Sequence, residues 1–230
     1  MKNKKIIVAL DDNNLNKVTK LVKQIKDEVA AFKIGYEFFL NFGINGYKEI
    51  KNISPKIFLD LKLHDIPNTV KNGIIAINKL GPSLTTVHIS GGDEMIKATK
   101  IKNNKTKILG VTVLTSLNEK QTKKYYNETK IDLLVKKFVK QAKKFKLDGV
   151  VCSPKEIKFV RKELGKNFLI VTPGVRLKKS KYFKDDQKRI LSPKQAIKDG
   201  ADLLVIGRPI TKAENPLEAI KNINNSIARW

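Results

Sequence analysis

Ile57-Phe58-Leu59-Asp60-Leu61-Lys62-Leu63-His64-Asp65-Ile66-Pro67-Asn68-Thr69 begins as an apolar run and ends in a cluster of charges. In an extended strand successive side chains point to opposite faces. Asp60, Lys62 and His64 therefore share one face, and Leu59, Leu61 and Leu63 share the other. Pro67 cannot donate to a sheet ladder, so Asp65 falls where the strand turns into a loop. A lysine between two carboxylates on a strand that otherwise reads as core is costly unless the charges pair. A structural ion pair is the plain alternative. Asp-x-Lys-x-x-Asp at the carboxyl end of an inner strand points instead to a site, because perturbed charged groups cluster where chemistry is done.

Outward from this stretch, apolar runs suited to buried parallel strands recur at 5–10, 30–34, 56–61, 85–89, 108–114, 149–152, 168–172 and 203–206. Amphipathic helical patterns lie between them, as in Leu15, Val18, Leu21, Val22 and Ile25, or Val70, Ile74, Ile77 and Leu80. Pro154, Pro193 and Pro216 fit first helical positions, with Ser153 and Ser192 as caps for two of them. Alternating strands and helices argue for a parallel sheet. Eight such units in 230 residues argue for one (β/α)8 TIM barrel, a single domain over residues 1–230 with its active site at the carboxyl strand ends. A doubly wound open sheet usually carries a glycine-rich turn after its first strand. That turn is Asp11-Asp12-Asn13-Asn14 here, so the barrel is preferred.

The strand ends collect polar groups on one rim: Asp11, Lys33, Asp60, Lys62, His88, Thr115, Ser153, Arg176 and Arg208. The last two ends, Thr172-Pro173-Gly174-Val175-Arg176 and Ile206-Gly207-Arg208-Pro209, read as a phosphate site. Phosphates bind between the loops after strands 7 and 8 in many barrels. Glycines let backbone N–H groups approach an anion, and arginine offers paired, charge-assisted hydrogen bonds. Only five of the 47 basic residues are arginine (Arg161, Arg176, Arg189, Arg208 and Arg229), and two of the five fall at these ends.

Composition bounds the rest. A single cysteine, Cys152, excludes an internal disulfide and suits a reducing compartment, so the cytoplasm is expected. No apolar run is long enough for a bilayer, and no membrane partner is expected. The formal net charge of +25 could attract a polyanion. Lysine is spread over nearly every helix without aromatic interleaving, so no nucleic-acid partner is expected. His64 and His88 lack ligand spacing, and neither a metal nor a cofactor is expected. Cys152 reads as a small buried hydrophobe.

Taken in order, these motifs resemble the orotidine 5′-phosphate decarboxylase family nearly end to end. The likeness runs through Ile7-Val8-Ala9-Leu10-Asp11, Phe32-Lys33-Ile34-Gly35, Phe58 to Thr69, Val87-His88-Ile89-Ser90-Gly91-Gly92, Val111-Thr112-Val113-Leu114-Thr115-Ser116, Thr172-Pro173-Gly174-Val175-Arg176, Asp185-Asp186-Gln187-Lys188-Arg189 and Val205-Ile206-Gly207-Arg208-Pro209-Ile210. The resemblance implies cofactor-free conversion of orotidine 5′-phosphate to UMP and CO2. It implies an alternating charge array of Lys33, Asp60, Lys62 and Asp65, with Asp11 and Lys33 on the ribose hydroxyls. Thr115 would read the pyrimidine, and Gln187, Arg208, Arg176 and the Gly207 N–H would bind phosphate. Asp65 and Thr69 would enter the active site of the other subunit of a homodimer. The segment 175–187 would be a lid over the phosphate. A metal-dependent sugar-phosphate decarboxylase or aldolase of the same barrel type is the nearest rival; those relatives use an acidic residue where this chain has Lys33.

Overall fold

The computed structural model describes residues 4–175 and 191–228. Eight parallel strands close into a barrel in sequence order: β1 (Ile6–Ala9), β2 (Ala31–Ile34), β3 (Ile57–Leu63), β4 (Leu84–His88), β5 (Lys107–Val111), β6 (Gly149–Val151), β7 (Leu169–Thr172) and β8 (Leu203–Ile206). Closure is the pairing of β8 back onto β1, with Val8 opposite Ile206. The helices that cover them are α1 (Leu15–Ile25), α2 (Tyr36–Ile53), α3 (Pro67–Leu80), α4 (Asp93–Ala98), α5 (Glu119–Tyr126), α6 (Ile131–Lys144), α7 (Ile157–Leu164), α8 (Pro193–Lys198), α9 (Arg208–Thr211) and α10 (Pro216–Ala228). None of the described helices is long and apolar enough to cross a membrane.

Every expected strand is present, and the barrel preferred from the sequence is the one observed. Two local expectations need correction. The fifth strand stops at Val111, short of 114: the Thr112 N–H makes the last ladder bond, to the Val151 carbonyl at 3.2 Å, and the Thr112 hydroxyl donates to the same carbonyl at 3.0 Å. Pro154 does not open a helix capped by Ser153. The Glu156 carboxylate captures the Ser153 N–H at 2.9 Å, closing a turn, and α7 begins only at Ile157. The other two proline starts are as expected, and Ser192 accepts from the Gln195 N–H at 3.2 Å as the cap of α8.

Strand alternation divides the apolar residues into two layers. Ile6, Val8, Phe32, Ile34 and Leu59 pack outward against helix residues such as Val22 and Phe38. Ile7, Ala31, Phe58, Leu84, Leu109 and Val171 form a separate plug inside the barrel. Two residues further along the same inner faces, the chemistry changes. Ala31 is followed by Lys33, Phe58 by Asp60 and then Lys62, and Leu84 by Thr86 and then His88. One end of the barrel is thus an apolar plug and the other a charged rim.

The plugged end is latched by polar groups. Asp148, just ahead of β6, accepts the Ile108 N–H of β5 at 2.8 Å. Asp202, just ahead of β8, accepts the Ile170 N–H of β7, also at 2.8 Å. Arg161 of α7 completes the second latch: it donates to the carbonyls of Gly165, Phe168 and Gly200 and pairs with Asp202. Its guanidinium therefore serves stability, away from the rim. Arg161→Ala is expected to cost about 3 kcal/mol, because carbonyls and a part-buried carboxylate lose their charged donor together. That corresponds to a melting temperature lower by roughly 6–12 °C. A thermal melt differing by less than about 2 °C would show that solvent replaces the network freely.

Candidate active site

The site grows from an irregularity in β3. Leu59 pairs with Thr85 of β4, but the next pair is Leu63 with Val87. Four residues of β3 are thus spanned by two of β4, a bulge that adds two residues to the strand. Because two is even, the alternation of faces survives it. Asp60 and Lys62 stay on the inner face, and Leu61 and Leu63 still pack outward on the core.

Backbone groups that leave the ladder must find other partners, and side chains supply them. The Leu59 carbonyl accepts from the Thr85 hydroxyl at 2.9 Å. The Leu61 carbonyl accepts from the Tyr36 hydroxyl at 2.8 Å. The Lys62 N–H donates to the Thr86 hydroxyl at 2.9 Å. Lys62 itself sits at φ +43°, in the left-handed region that residues with a Cβ rarely adopt. A bulge at an active-site strand end re-aims a side chain in this way.

Re-aimed, Lys62 joins a row of alternating charges. Its ammonium lies 2.7 Å from Asp60 Oδ2. The Lys33 ammonium lies 3.8 Å from the same oxygen and 3.3 Å from Asp11 Oδ1. Asp60 is only 7% exposed, so these contacts are what make its charge tolerable there. Its other oxygen, Oδ1, accepts from the Thr86 hydroxyl at 2.9 Å. Gly35 leaves room for the row, since a Cβ there would stand 2.9 Å from the Lys33 ammonium and 3.4 Å from Asp11 Oδ1.

His88 closes the row on the β4 side. Its ring packs against that of His64, tilted by 46°, with centroids 5.3 Å apart. Burial, helped by the positive neighbourhood of His64 and Lys62, pushes its pKa down to about 4. Near neutral pH His88 therefore adds no further cation to the row.

The residues expected from the sequence fall into three groups. Asp11, Lys33, Asp60 and Lys62 come together. Asp65 and Thr69 do not join them within this chain. Asp65 is exposed, with Oδ1 accepting the Ile66 N–H at 2.6 Å, and makes no ion pair among the described residues. Thr69 is exposed in the first turn of α3, which opens on Pro67. Thr115 lies across the rim, beside a cavity of about 880 Å³ that Ser116, Ser153 and Gly174 also line. At the neighbouring ends of β7 and β8, Gly174 holds φ +74° and Gly207 caps the short helix that Arg208 opens. Arg176, Gln187 and all of the expected lid beyond Val175 lie outside the described residues. Cys152 is buried and burial raises its thiol pKa, in keeping with a packing role.

Sequence reasoning missed Thr86 and Tyr36. Thr86 carried a legible signal: it stands midway between Leu84 and His88, on the inward face of β4. Tyr36 carried none, because its role depends on a bulge that no local pattern announces.

Comparison with known proteins bears on this arrangement. The chain is 45% identical to the orotidine 5′-phosphate decarboxylase of Wigglesworthia glossinidia brevipalpis over 99% of both proteins. It is 43% identical to the orotidine 5′-phosphate decarboxylase of the Wolbachia of Brugia malayi, over 97% of this chain and 99% of that one. The crystal structure of orotidine 5′-phosphate decarboxylase from Lactobacillus acidophilus superposes with a TM-score of 0.84 at 37% identity, covering 98% of this chain and 99% of that one. With the family model matching residues 4–223, the chain belongs to the orotidine 5′-phosphate decarboxylase / HUMPS family.

Proposed function

We propose that this chain decarboxylates orotidine 5′-phosphate to UMP and CO2 without a metal, using Lys62 as the reacting group. The observation that carries the reading is the row Asp11, Lys33, Asp60, Lys62, in which each charge is flanked by its opposite. When the bond from C6 to the carboxyl carbon breaks, CO2 departs and the electron pair stays on C6. The ring offers no carbonyl placed to delocalise that pair as a β-keto acid would. A fixed ammonium can hold the charge electrostatically, at no cost in reorganisation. Lys62 Nζ then gives its proton to C6 as general acid and recovers one from water. Asp60, itself held by Thr86, keeps the ammonium aimed. Asp11 and Lys33 would bind the ribose hydroxyls, and Thr115 beside the rim cavity would read the pyrimidine. Gly207 and Arg208, with Arg176 and Gln187, would bind the phosphate.

The chemistry of Lys33 separates this from a metal-dependent sugar-phosphate enzyme. Its ammonium stands within 4 Å of both Asp11 and Asp60, where it repels the divalent ion those carboxylates would otherwise attract. Decarboxylation is therefore expected to continue unchanged in EDTA, followed by the loss of orotate absorbance. Activity that vanishes in EDTA and returns with Mg2+ would overturn the reading in favour of the sugar-phosphate rival.

The same reading makes the working unit a cytoplasmic homodimer of one domain per chain, with no nucleic-acid or membrane partner. Its support is the exposed apolar surface on α2 and beside Asp65. Ile66, next to Asp65, is 67% exposed, and along the first half of α2 Tyr36 is 54%, Leu40 80% and Ile44 49% exposed. A second copy covering this face would carry its own Asp65 and Thr69 toward the Lys62 row.

A further inference from the structure

We infer that Thr86 is a positioning residue for this reaction, setting Asp60 and Lys62 together through one hydroxyl. The inference rests on the proposed function and deepens it. The hydroxyl of Thr86 is fully buried and has one proton and two lone pairs to use. Its proton goes to Asp60 Oδ1 at 2.9 Å, and one lone pair accepts the Lys62 N–H at 2.9 Å. These two bonds act on different parts of the machinery. The first fixes the rotation of the Asp60 carboxylate, so that Oδ2 faces the Lys62 ammonium at 2.7 Å. The second holds the Lys62 backbone at φ +43°, a strained conformation that persists only when its surroundings enforce it. Both ends of the Asp60–Lys62 pair, the carboxylate and the strand bearing the ammonium, are thus referred to the same atom of β4. Thr86 does not reach the substrate itself, since it is fully buried and its one proton is committed to Asp60.

The test compares Thr86→Val, which keeps the shape and removes the hydroxyl, with Thr86→Ser, which keeps the hydroxyl. Two readouts are taken: steady-state decarboxylation of orotidine 5′-phosphate, and hydrogen exchange at the Lys62 amide by NMR. Thr86→Val is expected to lower kcat roughly 10- to 100-fold, as the loss of a hydrogen bond to a charged group does, with little change in KM. Exchange at the Lys62 amide should quicken about tenfold or more, and Thr86→Ser should restore both readouts to near the parent values. A folded Thr86→Val with parental kcat, or with unchanged Lys62 exchange, would overturn the inference. So would a Thr86→Ser as impaired as Thr86→Val. If valine does not accumulate as folded protein, Thr86→Ala gives the same comparison; failure of both to fold would assign the hydroxyl to the fold and likewise overturn it. A parent protein with no decarboxylase activity would refute the proposed function instead, and the exchange readout would still decide whether the hydroxyl holds Lys62.

Discussion

Lys62→Ala is expected to lower kcat by roughly 10⁴-fold or more, while UMP still binds with similar affinity. Two contributions disappear together. A positioned general acid supplies about 10²–10⁴-fold, and a fixed charge at the developing anion about 10²–10³-fold. They belong to one ammonium, so no other side chain in the row can recover either. Lys33 is already occupied by Asp11 and Asp60, at 3.3 and 3.8 Å. Product binding should survive, because the proposed phosphate and ribose contacts are made by residues other than Lys62. The fold should survive as well, since the apolar plug and the Arg161 latch belong to the other end of the barrel. A Lys62→Ala protein within about 100-fold of the parent would remove Lys62 from the chemistry. Loss of UMP binding in the same proportion as kcat would show a collapsed site.

The second large effect is a gain of activity on mixing two dead proteins. Lys62→Ala and Asp65→Ala should each be nearly inactive alone. Denatured together and refolded, they should recover about a quarter of parental activity: random pairing makes half the dimers mixed, and each mixed dimer holds one intact site and one lacking both residues. The motive is geometric. Asp65 follows Lys62 by three residues, yet its carboxylate faces solvent and bonds the adjacent Ile66 N–H, away from the Lys62 ammonium. It stands next to Ile66, an apolar side chain left largely exposed. Mixed dimers confirmed by mass spectrometry that remain as inactive as the parents would mean that Asp65 acts within its own chain.

Much of this was legible in the sequence, for physical reasons that differ by region. The barrel was legible because buried parallel strands must be apolar on both faces, which leaves eight short runs with helical patterns between them. The charged row was legible because lysine and aspartate on an inner strand face have no cheap explanation. The bulge in β3 was not, because alternation is insensitive to an even insertion: Asp60 and Lys62 share a face with or without it. Thr86 was legible only as an inward position on β4. A threonine suits a strand interior by propensity alone, so its bonds to Asp60 and Lys62 were not announced, whereas the hydroxyl of outward-facing Thr85 merely caps the Leu59 carbonyl. Glu156 illustrates the opposite failure. Ser153-Pro154 made a sound helix start locally, and a tertiary choice, the capture of the Ser153 N–H, moved the start by three residues.

The two extra residues of β3 give that strand something like a reading frame. Deleting one residue between Leu59 and Leu63 would carry every later side chain to the opposite face, turning Lys62 toward the helices and Leu63 toward the substrate. Deleting two would return β3 to step with β4 and keep the lysine inside, but about 6–7 Å nearer the plug, below the plane where the substrate reacts. Length changes in β3 are thus graded by parity before they are graded by size. Odd changes invert the site, and even ones raise or lower it. Among natural variants of this barrel, changes in reach along this strand should accordingly come in steps of two.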